Sequence, residues 1–116
     1  MGYKRGDVVL VVYHPPTTGR SRVAKSRPMV VMSSDAYHTE RPQDVIAVLI
    51  TTKVTKYQGT TDYALRDWQA ARLHSPSVVR CALATIEQNQ IGGKVCSLSA
   101  ADMQGVEAAI KRAIGL

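Results

Sequence analysis

Apolar residues come along this chain in short β-branched runs, each cut off by turn-forming residues, until a helical spacing takes over at the end. Asp7-Val8-Val9-Leu10-Val11-Val12-Tyr13 is nearly continuous in apolar character and predicts a largely buried strand. His14-Pro15-Pro16 stops it, because consecutive prolines supply no ladder donors. Residues 19–26 read as a polar loop, and Arg27-Pro28 opens a second strand over 29–33. Residues 34–43 read as loop and 44–52 as a third strand, with a short edge strand expected around 60–63. One or two helical turns follow over 67–73, closed off by Pro76, and then a strand over 77–86. Gly92-Gly93 is expected to mark a turn.

The last segment changes period. Ser99 is placed as a helix cap with Asp102 three residues on, a pair of the capping-box type. Met103, Val106, Ile110 and Ile114 then recur at helical spacing as one apolar stripe, with Gly115 at the stop. Five or more strands and one terminal helix predict a mainly β (α+β) fold, a small antiparallel barrel with the helix packed on it. A chain of 116 residues suits one domain, residues 1–116, and no internal repeat divides it.

Composition narrows the partners. The hydrophobic share of 45% fits a globular chain, and the formal net charge of +6 favours a polyanion or an acidic protein. The run Val8 to Val12 is too short for a signal-peptide core, and no stretch approaches membrane-spanning length, so a cytoplasmic protein is expected. Cys81 and Cys96 form no CxxC and have no ligand-spaced histidines, which reads as buried reduced thiols; no metal site or cofactor motif is visible.

Taken in order, several short motifs resemble the PemK/MazF-like toxins of bacterial toxin–antitoxin pairs. They are the Gly6-Asp7-Val8-Val9 strand, the Pro16-to-Gly19 loop, Arg27-Pro28 leading an apolar strand, and Ile50-Thr51-Thr52 ending another. Val78-Val79-Arg80-Cys81 and the Leu98-Ser99 helix start complete the set, which runs from about Gly6 to the carboxyl end. The resemblance implies an SH3-like barrel, a homodimer that cuts single-stranded RNA and is silenced by a cognate antitoxin. It implies that Arg27 is the catalytic arginine, Thr51 the strand-end threonine and Arg80 a second functional arginine. The chain departs from the family in two places. Ala82 stands where one branch has an aspartate, and Arg20-Ser21-Arg22-Val23 replaces a carboxylate-bearing loop, so that branch's proton-transfer scheme does not transfer.

RNA cleavage without a metal uses the neighbouring 2′-hydroxyl as nucleophile, so the enzyme must hold an in-line geometry and stabilise growing phosphate charge. Guanidinium suits the task, since its planar fork binds two phosphate oxygens together. Arg27 is the first candidate stabiliser and Arg80 the second, with Thr51 orienting the phosphate or the 2′-hydroxyl. The base is the open question: His14, ahead of the loop, has suitable chemistry, while His38 and His74 lie in polar, loop-like stretches. Arg20, Arg22 and Lys25 are either a solvated charge run or phosphate-tracking groups, and Thr52 joins them as an RNA-binding candidate. Each has an ordinary alternative: Arg27 as a solvated strand start, Thr51 and Thr52 as plain strand residues, Trp68 as core or interface. Two other functions stay open. One is a gyrase-type poison, which relies on a carboxyl-terminal tryptophan that this Ile114-Gly115-Leu116 end lacks; the other is a catalytically silent binding module.

Overall fold

The computed structural model describes residues 2–13 and 25–116, with the backbone but not the side chains of Tyr13 and Lys25. The elements in chain order are β1 (Asp7–Tyr13), β2 (Lys25–Val31), α1 (Asp35–Glu40), β3 (Asp44–Thr51), β4 (Tyr63–Ala64), β5 (Val78–Glu87), a 3₁₀ turn (Gln88–Gln90), β6 (Ile91–Ser97) and α2 (Ala100–Ile114). The strands form one sheet in the order β4-β5-β3-β2-β1-β6, antiparallel throughout.

Two sets of side chains leave this sheet on its two faces. Val8, Val30, Val48, Ile50 and Val79 meet Leu98 and Val106 under helix α2. Val9, Val11, Met29, Val31, Val45, Ala47 and Ile86 form the other cluster, fully buried or nearly so, and all of them come from strands. Among the described residues nothing helical contributes to that second core, so the sheet must curl over it. The linkage from β5 to β6 requires the same curvature. In a flat sheet those strands stand four spacings apart, about 19 Å, whereas the four residues from Glu87 to Ile91 reach at most about 14 Å. The result is barrel-like, although β4 and β6 remain the ends of the hydrogen-bonded order rather than closing it.

Local chemistry explains where the elements depart from expectation. Helix α1 occupies a stretch read as loop: Ser34 caps it by accepting the Tyr37 N–H, and no residue in it is buried, so it leaves no apolar stripe to read. Strand β2 begins at Lys25, inside the segment expected to be loop, because its backbone pairs with Tyr13. Gly92 and Gly93 lie within β6 rather than at a turn; the reversal belongs to the 3₁₀ turn, closed by a capping box between Glu87 and Gln90. The glycines instead mark an irregularity, since Leu10 pairs with Gly93 while Val11 pairs with Ile91. Residues 67–73 form a turn but no helix. The Arg72 N–H reaches the Gln69 carbonyl, the Leu73 N–H reaches the Trp68 carbonyl, and Arg72 adopts a φ of 60°, a Schellman-type close. Cys81 and Cys96 are free thiols but only half-buried.

Helix α2 starts at the Ser99 cap, whose hydroxyl accepts the Asp102 N–H. Its stripe is shorter than expected: Val106 is buried, Met103 and Ile110 pack beside it, and Ile114 is exposed. The Asp102 carboxylate does not return to the cap. It is fully buried and accepts from the Tyr63 hydroxyl at 2.8 Å, the Arg66 N–H at 3.0 Å and the Asp67 N–H at 2.9 Å. Gly105 completes this anchor, because a Cβ there would lie 2.0 Å from the Tyr63 ring. Desolvation, then the Asp102 hydrogen bond, pushes the Tyr63 hydroxyl up to about 12.

Candidate active site

The strand register brings the first two candidate residues together. Met29 pairs with Leu49, Val30 with Val48 and Val31 with Ala47; two steps further the same register sets Arg27 across from Thr51. Because strand side chains alternate, Arg27 shares a face with Met29 and Val31, and Thr51 shares one with Ala47 and Leu49. Met29, Val31 and Ala47 belong to the strand-only core, and Arg27 and Thr51, both half-buried, stand where that face emerges to solvent. An arginine at this position therefore caps the apolar interior with charge.

Arg80 arrives by a different device. Between the pairs Val48–Leu83 and Ile50–Val79, β3 spends one residue and β5 spends three, Arg80, Cys81 and Ala82. This bulge breaks the simple alternation and re-aims the side chains it contains. Arg80 leans on the loop that follows β3: its Nη1 donates to the Tyr57 hydroxyl at 3.0 Å, and its guanidinium carbon lies 4.5 Å from the ring centroid. Lys56 approaches the same ring at 5.4 Å. The loop turns sharply at its start, where Thr51 Oγ1 accepts the Lys53 N–H at 3.2 Å. That bond uses an acceptor site of the hydroxyl and leaves its proton free for a ligand oxygen.

Two adjoining surface depressions result, of about 270 and 280 Å³, and Arg27, Thr51 and Lys53 line both. Arg80, Tyr57 and Ala82 line one of them; Thr52 and His74 line the other. Among the described residues no carboxylate lines either. The two ion pairs among the described residues, Arg5–Glu107 and Lys94–Asp7, involve other cations. The fold thus gathers Arg27, Thr51, Thr52 and Arg80 as the sequence motifs imply. His14, Arg20 and Arg22 lie outside the described residues, as does the side chain of Lys25. His38 sits apart on α1 with its Nε2 2.6 Å from the Ser33 hydroxyl, which also accepts the Ile46 N–H, a structural role. Trp68 packs against the helix-side core. Among the described residues no group of three or more His, Cys, Asp or Glu side chains is placed to hold a metal ion.

Lys53, Tyr57 and His74 are members of the site that motif reasoning did not select. They come from irregular segments whose positions depend on the loop path rather than on a repeating pattern. Together the groups form a cationic, carboxylate-free cleft with a hydroxyl at its centre. Such a cleft binds a phosphodiester and stabilises charge that grows on its oxygens.

Known proteins share the family and the fold. A family model described as the PemK-like, MazF-like toxin of type II toxin–antitoxin systems matches residues 4–114. No curated protein sequence matches the chain. Among solved structures, toxin MazF-mt6 of Mycobacterium tuberculosis superposes with a TM-score of 0.75 at 22% identity, covering 95% of this chain and 97% of that one. An endoribonuclease in complex with its cognate antitoxin from a Mycobacterial species gives 0.72 at 20% identity, over 99% and 97%. The MazE–MazF complex of Deinococcus radiodurans gives 0.74 at 16% identity, over 98% and 97%. These three likenesses are likenesses of fold.

Proposed function

The chain belongs to the PemK-like, MazF-like toxins of type II toxin–antitoxin systems, and from that membership we propose that it is an endoribonuclease cutting single-stranded RNA without a metal. One observation carries the reading: Arg27, Thr51 and Arg80 come from three strands to one cleft, and among the described residues no carboxylate lines it. Arg27 grips the scissile phosphate and stabilises it as the 2′-oxygen attacks, Thr51 orients it through its hydroxyl, and Arg80 holds a second phosphate oxygen or the neighbouring phosphate. Tyr57 keeps the Arg80 guanidinium in place by a hydrogen bond and by its ring face. Arg20, Arg22, Lys25 and Thr52 extend the contact along the RNA backbone, and His14 stands as a candidate base.

The whole chain, residues 1–116, acts as one toxin domain in the cytoplasm; among its described residues no helix is long and apolar enough to cross a membrane. It pairs as a homodimer and is neutralised by a cognate antitoxin. Supporting those partners, Leu10, Val12, Leu83, Ile114 and Leu116 are large apolar side chains left exposed on the single chain. An acidic antitoxin segment laid over the cationic cleft would occupy the place of RNA. Purified protein incubated with a long unstructured RNA in EDTA should fragment it. Intact RNA, with inhibition of DNA gyrase instead, would replace this reading with the non-enzymatic one.

A further inference from the structure

We infer that His74 is the proton-transfer group of the cleft, taking the proton from the attacking 2′-hydroxyl. This rests on the reading of the cleft as an RNA-cleaving site, and it gives the role of base to His74 in preference to His14, which lies outside the described residues. The geometry sets His74 in the same depression as Arg27 and Thr51, whereas Arg80 lines the adjoining one. Its surroundings hold it there. Leu73 is packed against the helix-side core after the Schellman-type close at Arg72, and on the other side the Ser77 hydroxyl fastens the Ser75 carbonyl at 2.9 Å. The ring itself is exposed to solvent.

Guanidinium, ammonium and phenol groups ordinarily hold their protons at neutral pH, and aliphatic hydroxyls are poor bases. Among the described residues no carboxylate lines either depression. Among the described residues that line the cleft, His74 carries the one imidazole, the side chain most often used for general acid–base work. The charged groups facing His74 are Arg27 from β2 and Lys53 from the loop after β3. In the step, a ring nitrogen removes the 2′-hydroxyl proton as the 2′-oxygen bonds to phosphorus. The bond from phosphorus to the 5′-oxygen breaks, and that oxygen takes a proton from water. The ends formed are a 2′,3′-cyclic phosphate and a 5′-hydroxyl, and the imidazolium returns its proton to solvent.

The test is the pH–rate profile of RNA cleavage in EDTA for the wild type, His74→Ala and His74→Gln, with imidazole then added to the alanine variant. The account expects both variants to cut about 10²- to 10⁴-fold more slowly and to lose the limb on which imidazole protonation lowers the rate. Added imidazole should restore part of the rate, and binding of a 2′-deoxy RNA should change by less than about twofold, because phosphate contacts survive. A His74→Ala protein that cuts at the wild-type rate overturns the assignment. So does a slow variant with an unchanged profile and no rescue, which marks a positional role. Wild-type products with 5′-phosphate ends overturn the cleavage reading beneath it, and this assignment with it.

Discussion

Asp102 and the Arg27–Arg80 pair are charged side chains put to opposite uses. Asp102 is fully buried, and its carboxylate accepts three hydrogen bonds that tie α2 to the segment 63–67. The two arginines are half-buried, and among the described residues no carboxylate shares their cleft. A buried charge with its lone pairs matched belongs to the fold, and removing it leaves orphaned partners. A partly solvated charge without a counter-charge costs little to keep and stays available to an anion. On the proposed function, the molecule separates its stability from its chemistry: a saturated anchor holds the helix side, and an unsaturated rim is left for the RNA.

The strongest way to break that comparison is at the anchor. Asp102→Ala leaves the Tyr63 hydroxyl and two backbone N–H groups without their acceptor, a cost of about 2–4 kcal/mol. The melting temperature should fall on the order of 10 °C, while protein that remains folded still cuts RNA. A melting temperature within two or three degrees of wild type, by calorimetry, would show that the anchor holds nothing.

At the rim the signs reverse. Arg27→Ala should lower the cleavage rate by about 10²- to 10³-fold, the usual loss for removing a group that stabilises developing charge. Its melting temperature should stay within a few degrees, since the arginine sits at an emerging strand face rather than in the core. Single-turnover cleavage and thermal unfolding of the same sample decide the matter, and a large loss of stability would move Arg27 to the structural side.

A smaller effect sharpens the anchor alone. The Tyr63 hydroxyl is held up at about 12, chiefly by desolvation and then by Asp102. A group raised in the folded state contributes stability that is complete below its ordinary value near 10 and lost as pH rises toward 12. Tyr63→Phe should therefore flatten the fall in stability between about pH 10 and 12. Urea titrations at those pH values read the slope, and identical slopes for the two proteins would count against the account.

These contrasts were unequally visible in the sequence. Arg27 and Thr51 were legible because strand alternation and an antiparallel register are periodic, and two family motifs mark their places. Arg80 was legible as a motif, but its approach to the cleft depends on a bulge of Arg80, Cys81 and Ala82 that has no period. Lys53, Tyr57 and His74 ride on irregular segments, so nothing local signals that they meet. Asp102 misled in an instructive way. Three residues after Ser99 it looks like a capping partner, yet its carboxylate serves residues nearly forty positions away, a contact only the folded chain creates. Helix α1 was missed for the opposite reason, since a six-residue helix that buries nothing has no stripe to read.

The central claim is that the rim stabilises attack by the RNA's own 2′-hydroxyl, and the ends of the fragments test it most directly. RNA cut by the purified protein in EDTA should carry 2′,3′-cyclic phosphate and 5′-hydroxyl ends, and a single 2′-deoxy nucleotide at the cut position should block the cut. Fragments bearing 5′-phosphates, or a strict need for Mg²⁺, would contradict the account and assign the cleft a different chemistry.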